Sequence, residues 1–136
     1  MTTYALDASA ILRYLDNEAG ADRVEEIIAA HLKGTDKAAV LTVHWGEIAG
    51  CVYKNCGSNM LAVVMSRLAG FNFDLIPISA DRAVRAAVLK ADKKIPYIDA
   101  FGVEFAASSP DHVFVTADFD LEIADREARI ELLPRK

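Results

Sequence analysis

Short apolar runs alternate along this chain with stretches in which apolar residues recur every three or four positions. Tyr4-Ala5-Leu6 reads as a buried strand, and Ile11, Leu12 and Leu15 then fall on one side of a helix. The polar break Asp16-Asn17-Glu18-Ala19-Gly20 carries turn chemistry. A helix follows over 22–33, with Val24, Ile27, Ile28 and Leu32 at core spacing and Gly34 as its stop. Residues 38–43 read as a second buried strand. The pattern predicts a helix over 45–54, with Trp45, Ile48, Ala49 and Val52 inward and Glu47 in the first turn. Gly57-Ser58-Asn59 breaks the chain before a helix over 60–69 that Gly70 ends. A third strand covers 73–78, where Pro77 favours an edge or a strand end. Ser79 is the expected N-cap of a helix over 81–92. Ile95-Pro96 stops that helix, and Tyr97 opens another that runs to about Ala107. Residues 112–116 form a fourth strand, the acidic turn Ala117-Asp118-Phe119-Asp120 follows, and a weak last strand covers 129–133. This alternation predicts a three-layer α/β fold, with a mainly parallel central sheet flanked by helices and joined by right-handed connections.

Size and charge narrow the picture. The 136 residues, 53% of them apolar and free of repeats or linkers, are expected to form one domain over 1–136. A net charge of −5 argues against a broad basic surface for nucleic acid, but an acidic metal site contributes negative charge of its own. The start lacks a secretion signal and no apolar run is long enough for a membrane, so a soluble cytoplasmic protein is expected. Cys51 and Cys56, five positions apart, would project about 140° apart on one helix. They are expected to be packing thiols rather than a disulfide.

The chemistry lies in the acids. Asp7 sits where the first strand hands over to a helix, and Glu47, Asp99 and Asp118 occupy comparable boundaries, with Asp120 close by. Each taken alone can be a helix cap, a first-turn acid or a turn residue. Strand ends of one parallel sheet gather at one edge, however, so residues far apart in sequence can converge there. Two carboxylates about 4 Å apart repel by roughly 4 kcal/mol at an effective dielectric near 20. Protonation or a cation must relieve that repulsion. An all-oxygen donor set favours Mg²⁺ or Mn²⁺ over zinc. Such a site suits in-line hydrolysis of a phosphodiester.

On these residues the sequence resembles a PIN-domain ribonuclease, most nearly the VapC-type toxins of bacterial and archaeal toxin–antitoxin pairs. Leu6-Asp7-Ala8-Ser9-Ala10-Ile11-Leu12 resembles the family's opening strand and turn, and Thr42-Val43-His44-Trp45-Gly46-Glu47-Ile48 its second motif. Ile98-Asp99-Ala100-Phe101 resembles the third motif, and Val115-Thr116-Ala117-Asp118-Phe119-Asp120 the fourth. The resemblance implies a PIN fold and an endoribonuclease that uses one or two Mg²⁺ or Mn²⁺ ions. It also implies a homodimer, and a small antitoxin lying across the groove. Asp7, Glu47, Asp99 and Asp118 match the catalytic, metal-binding acids; Ser9 and Thr116 match supporting residues, and Asp120 a second acid of the last motif. Two departures bear on groove shape. Glu104 stands where the family often has a small apolar residue, expected either in solvent or near the groove, and His44-Trp45 is bulkier than usual.

Arg13, Lys54, Lys93 and Lys94 are candidates for RNA phosphates, set against a simple role at helix ends. Tyr97 beside Asp99 is a candidate for base stacking or a core-rim tyrosine. His31, His44 and His112 lack metal-ligand spacing, so surface or packing roles are expected. Two other functional classes remain in view. A metal-dependent phosphatase with an aspartyl nucleophile would also use Asp7, but has a second Asp where this chain has Ser9. A PIN-like domain can also bind RNA or a partner without catalysis. A receiver domain and a nucleotide-binding module fit less well, since the chain has neither the early acidic pair nor a glycine-rich phosphate loop.

Overall fold

The structure, a computed structural model, describes residues 1–124 and 128–136. Five strands, β1 (Thr3–Leu6), β2 (Lys37–Leu41), β3 (Asp74–Ile76), β4 (His112–Thr116) and β5 (Ile130–Leu132), form one sheet in the order β3-β2-β1-β4-β5. Every neighbouring pair is parallel. The helices are α1 (Ala8–Leu15), α2 (Ala21–Lys33), α3 (Thr42–Ala69), α4 (Ala80–Lys93) and α5 (Tyr97–Ala107), and a 3₁₀ turn covers Phe119–Ala124.

The period of two along the strands builds two cores. Leu6, Ala38, Val40, Val113 and Val115 face one way, against Ile11, Val24, Ile27, Ile28 and Ile48 of α1, α2 and α3. Ala5, Leu41 and Phe114 face the other way, against Ala86 of α4 and Phe101, Val103 and Phe105 of α5. The central strands are therefore buried on both faces, as a parallel sheet requires. Gly102 lets α5 settle onto the sheet: a Cβ there would lie 2.1 Å from Cζ of Phe114.

The path of the chain positions the cleft. From β1 it steps outward through β2 to the edge strand β3, then returns across the sheet to place β4 on the opposite side of β1. The carboxyl ends of β1 and β4 thus border a topological switch, where open α/β sheets leave a crevice. Leu6 pairs with Val115, and the Asp7 amide donates to the Val115 carbonyl at 3.2 Å, so Asp7 emerges beside the end of β4.

Several boundaries differ from the sequence reading: β3 is Asp74–Ile76 rather than 73–78, and the largest shift lies between β2 and α3. β2 ends at Leu41 rather than residue 43, and α3 begins at Thr42 with Leu41 as an N-cap that lacks a side-chain bond. Thr42 and Val43 carry strand propensity, yet they open a helix whose next residue, His44, is wholly buried. Glu47 consequently lies in the second turn rather than the first. The expected break near Gly57 is present as a kink: Gly57 has φ +84° inside an otherwise continuous α3. Such a backbone suits glycine, which has no Cβ to clash.

Candidate active site at the strand ends

A cleft of about 500 Å³ is lined by Asp7, Ser9, Glu47, Pro96, Tyr97, Asp99 and Asp118, among others. The four acids of the separate sequence motifs thus share one wall-to-wall space. Asp7 comes from the end of β1, Glu47 from α3, Asp99 from the first turn of α5, and Asp118 from the turn after β4.

Asp7 is the most enclosed of them, only 4% exposed. It is the N-cap of α1, with Oδ1 accepting from the Ala10 amide at 2.9 Å. Capping is therefore part of its task and leaves its other contacts to be explained. Two hydroxyl relays reach it from the far strand. The Ala117 amide donates to Ser9 Oγ at 2.9 Å, and Ser9 Oγ donates to Asp7 Oδ1 at 2.6 Å. In parallel, the Asp118 amide donates to Thr116 Oγ1 at 3.0 Å, and that hydroxyl donates to Asp7 Oδ2. Each hydroxyl spends its proton on Asp7 and accepts from a backbone amide. The turn carrying Asp118 is thereby fastened to the carboxylate of β1. Asp118 Oδ1 in turn accepts from the Asp120 amide at 3.0 Å. The Asp120 side chain is exposed and does not line the cleft.

The electrostatics follow from burial and crowding. Burial raises the Asp7 carboxyl above the ordinary range, and the bonds from Ser9, Thr116 and Ala10 oppose that rise without cancelling it. Glu47 is raised by burial and then by the Asp7 charge. Asp99 is pushed up to about 7, first by burial, then by the charges of Asp118 and Asp7, a hydrogen bond with Asp118, and the charge of Glu47. Among the described residues, no lysine or arginine lines the cleft. Neighbouring carboxylates thus add to burial in raising Glu47 and Asp99.

That donor set is chemically suited to a hard divalent cation: all oxygen, crowded, and short of positive charge. Among the described residues no three His, Cys, Asp or Glu side chains stand in a finished metal-holding cluster. The acids share the cleft without closing into a coordination shell, and both oxygens of Asp7 are engaged by hydrogen bonds.

Several other sequence expectations find different places. Arg13 is not placed to meet RNA: it is buried, and its Nη1 donates to the carbonyls of Ala19 at 2.8 Å and Pro134 at 2.6 Å. It ties α1 to the end of the chain instead. Glu104 lies neither in solvent nor in the cleft. It is 3% exposed and ion-paired with Arg82 and, at 3.3 Å, Arg85, both of α4. Lys54 and Lys94 are exposed, Lys93 is half-buried, and none of the three lines the cleft. Cys56 is exposed rather than packed, while Cys51 is half-buried, and both are free. Tyr97 lines the cleft mouth with its ring on Phe101, centroids 4.7 Å apart. The histidines do pack: His112 stacks on Phe105 at 4.1 Å, His31 bonds the Ala38 amide and the Asn72 carbonyl, and His44 stacks on Phe114 at 5.7 Å.

The profile of the PIN domain matches residues 4–127. The chain belongs to the PIN domain family. Its fold is shared with a chain in the crystal structure of VapBC2 from Rickettsia felis bound to a DNA fragment from their promoter. That match has a TM-score of 0.75 at 12% identity, covering 96% of this chain and 98% of that one. VapBC-1 from nontypeable Haemophilus influenzae gives 0.71 at 13% identity, with 96% and 98% covered. A toxin–antitoxin complex from Klebsiella pneumoniae gives 0.63 at 19%, with 87% and 89% covered. No curated protein sequence matches. For a PIN domain, the cleft at the ends of β1 and β4 is the feature to explain. Among the described residues, no helix is long and apolar enough to cross a membrane.

Proposed function

We propose that this PIN domain is a Mg²⁺- or Mn²⁺-dependent endoribonuclease acting as the toxin of a type II toxin–antitoxin pair. The observation that carries the catalytic part is the cleft of four acids, with no basic residue in its lining among the described residues and Asp99 raised to about 7. A polyanion such as RNA does not enter a cleft of that charge unless a cation is present. Asp7, Glu47, Asp99 and Asp118 are the residues that would hold it, one or two ions per site. When bound, such a cation neutralises the acids, polarises the phosphodiester and acidifies water.

The chain's own residues then have defined tasks. Ser9 and Thr116 hold the Asp7 carboxylate in one orientation by donating to its two oxygens. Asp99, in the first turn of α5 and half-buried, would accept the proton that an attacking water releases. Pro96 and Tyr97 line the cleft, and the exposed Lys94 would be a cation for an RNA phosphate outside it. The enclosure of Asp7, with both oxygens bonded, speaks against its serving as the nucleophile of a phosphatase.

The toxin part rests on the four motifs taken with the shared fold of the VapBC and toxin–antitoxin structures. It assigns a small antitoxin as partner, a homodimer as the working form and the cytoplasm as location. The test is cleavage of a mixed single-stranded RNA in Mg²⁺, Mn²⁺ or EDTA, with Asp7→Asn alongside. Cutting that needs the metal and vanishes in the variant is the expected result. Equal cutting in EDTA, or by Asp7→Asn, overturns the reading.

A further inference from the structure

His44 is wholly buried, yet only one of its ring nitrogens has a partner. Nε2 lies 3.0 Å from the Ile98 carbonyl. A carbonyl only accepts, so Nε2 carries the proton and donates. Nδ1 is left as a bare lone pair without a hydrogen-bond partner. A buried polar atom in that condition costs stability, so a packing residue alone would serve better as Phe or Leu.

What the imidazole joins explains the cost. Ile98 O belongs to the peptide unit whose nitrogen is that of Asp99, and a peptide unit is planar. Holding that oxygen fixes the plane from which the Asp99 Cα departs. His44 itself stands one helical turn before Glu47 on α3. Leu41 and Pro96, the N-caps of the two helices, make no side-chain capping bond. The ring also stacks on Phe114 of β4, 15° from parallel. Phe114 is the side chain against which Gly102 of α5 is fitted, and it lies two residues before Thr116. One side chain therefore ties α3, α5 and β4 together directly behind the acids.

We propose that His44 is a positioning residue that fixes Glu47 and Asp99 relative to each other, by donating to the Ile98 carbonyl while stacked on Phe114. The role rests on the reading of these acids as one metal-holding set. It goes beyond that reading by assigning their mutual geometry to a residue outside the cleft lining.

The test compares wild type with His44→Phe, which keeps the stacking and loses the donor, and with His44→Gln, which keeps a donor at the Nε2 position. In metal-free protein at one fixed pH, the carbon shifts of the Ile98 carbonyl and of the Glu47 and Asp99 carboxyls are followed by NMR. Mn²⁺ affinity and the melting temperature are measured on the same samples. In His44→Phe all three shifts should move, and Mn²⁺ affinity should fall about tenfold. The melting temperature should change little, and His44→Gln should recover most of both signals. If His44→Phe does not fold, His44→Gln against His44→Met makes the same contrast of donor and no donor. Unchanged Glu47 and Asp99 shifts and Mn²⁺ affinity in the donorless variant would overturn the proposal. So would equal losses in the Gln variant. Wild type that binds no Mn²⁺ but shows Glu47 and Asp99 shifts sensitive to His44 would sink the metal reading and uphold the positioning role.

Discussion

Asp7 and Glu104 are acids buried to the same depth, 4% and 3% exposed, and they are neutralised in opposite ways. Glu104, on α5, meets the guanidinium groups of Arg82 and Arg85 across the helix pair. Asp7 meets two hydroxyls, one amide and, beyond them, three more acids. At an effective dielectric near 20, a unit charge about 4 Å away is worth roughly 4 kcal/mol. That interaction is attractive around Glu104 and repulsive within the cleft. The α4–α5 contact is electrostatically complete, while the strand-end cleft is complete only with a proton or a cation added. A charge left uncompensated by the fold marks a place where the fold expects something else to bind.

The contrast breaks most sharply in activity. Asp99→Asn should lower RNA cleavage by about a thousandfold or more, because in the proposed mechanism it removes a metal ligand and a proton acceptor in one step. Its melting temperature should hold or rise, since a raised carboxyl is a source of strain in the folded state. Arg82→Met should do the reverse. Cleavage should stay within a few-fold of wild type. Stability should fall by about 3 kcal/mol, as the buried Glu104 keeps only the half-exposed Arg85 as partner. In a chain of this length that is a drop of about 10 °C in melting temperature. Kinetics and thermal unfolding on the same two variants test both halves. An Asp99→Asn protein that cuts normally, or an Arg82→Met protein that is as stable as wild type, removes the distinction.

The sequence made these two acids legible to different degrees for a physical reason. Asp7, Asp99 and Asp118 sit at strand or helix boundaries and Glu47 in the second turn of α3, and a parallel sheet brings such positions to one edge whatever their separation in sequence. Glu104 lies in mid-helix, and its partners are 22 and 19 residues away on a helix whose packing angle no local pattern specifies. Arg13 escaped for the same reason, since one of its carbonyl partners is 121 residues away. Local signals succeeded where the local backbone decides. β4 runs over the expected residues, Ser79 caps α4 by accepting from the Arg82 amide at 3.1 Å, and Gly57 breaks α3. They failed at Leu41, where an apolar N-cap and a Thr-Val pair conceal the turn from strand to helix. The lack of metal-ligand spacing left His44 as a surface or packing residue, and the structure buries it. Its bond to Ile98, 54 residues on, was not legible.

A milder variant probes how the cleft is held rather than what it lacks. Thr116→Val removes the hydroxyl that links the Asp118 amide to Asp7 while keeping the shape of a β-branched residue in β4. Mn²⁺ affinity should fall about 10- to 100-fold, the usual cost of losing a group that orients a ligand. A binding isotherm unchanged from wild type would show that the relay carries no weight in metal binding.

The gentlest probe is pH, and the sign is fixed by the direction of the shifts. Asp99 is raised from an ordinary 3.8 to about 7, and Glu47 and Asp7 are raised as well. A carboxyl whose folded pKa lies above its unfolded one binds more protons in the folded state. Its contribution to stability is therefore full below about 3.8 and is lost as pH rises through about 7. His44, lowered by burial, acts in the opposite sense below its ordinary 6.5, so the raw profile of wild type mixes the two. The difference between wild type and Asp99→Asn cancels His44. Urea unfolding in EDTA at pH 5, 6, 7 and 8 should show wild type losing stability relative to the variant across that window. A saturating divalent cation should shrink the slope, because a bound cation keeps the folded carboxyls ionised at every pH tested. Parallel profiles in EDTA would mean that Asp99 titrates alike in folded and unfolded chains. The strained cleft would then be no more in need of a cation than the Glu104 triad.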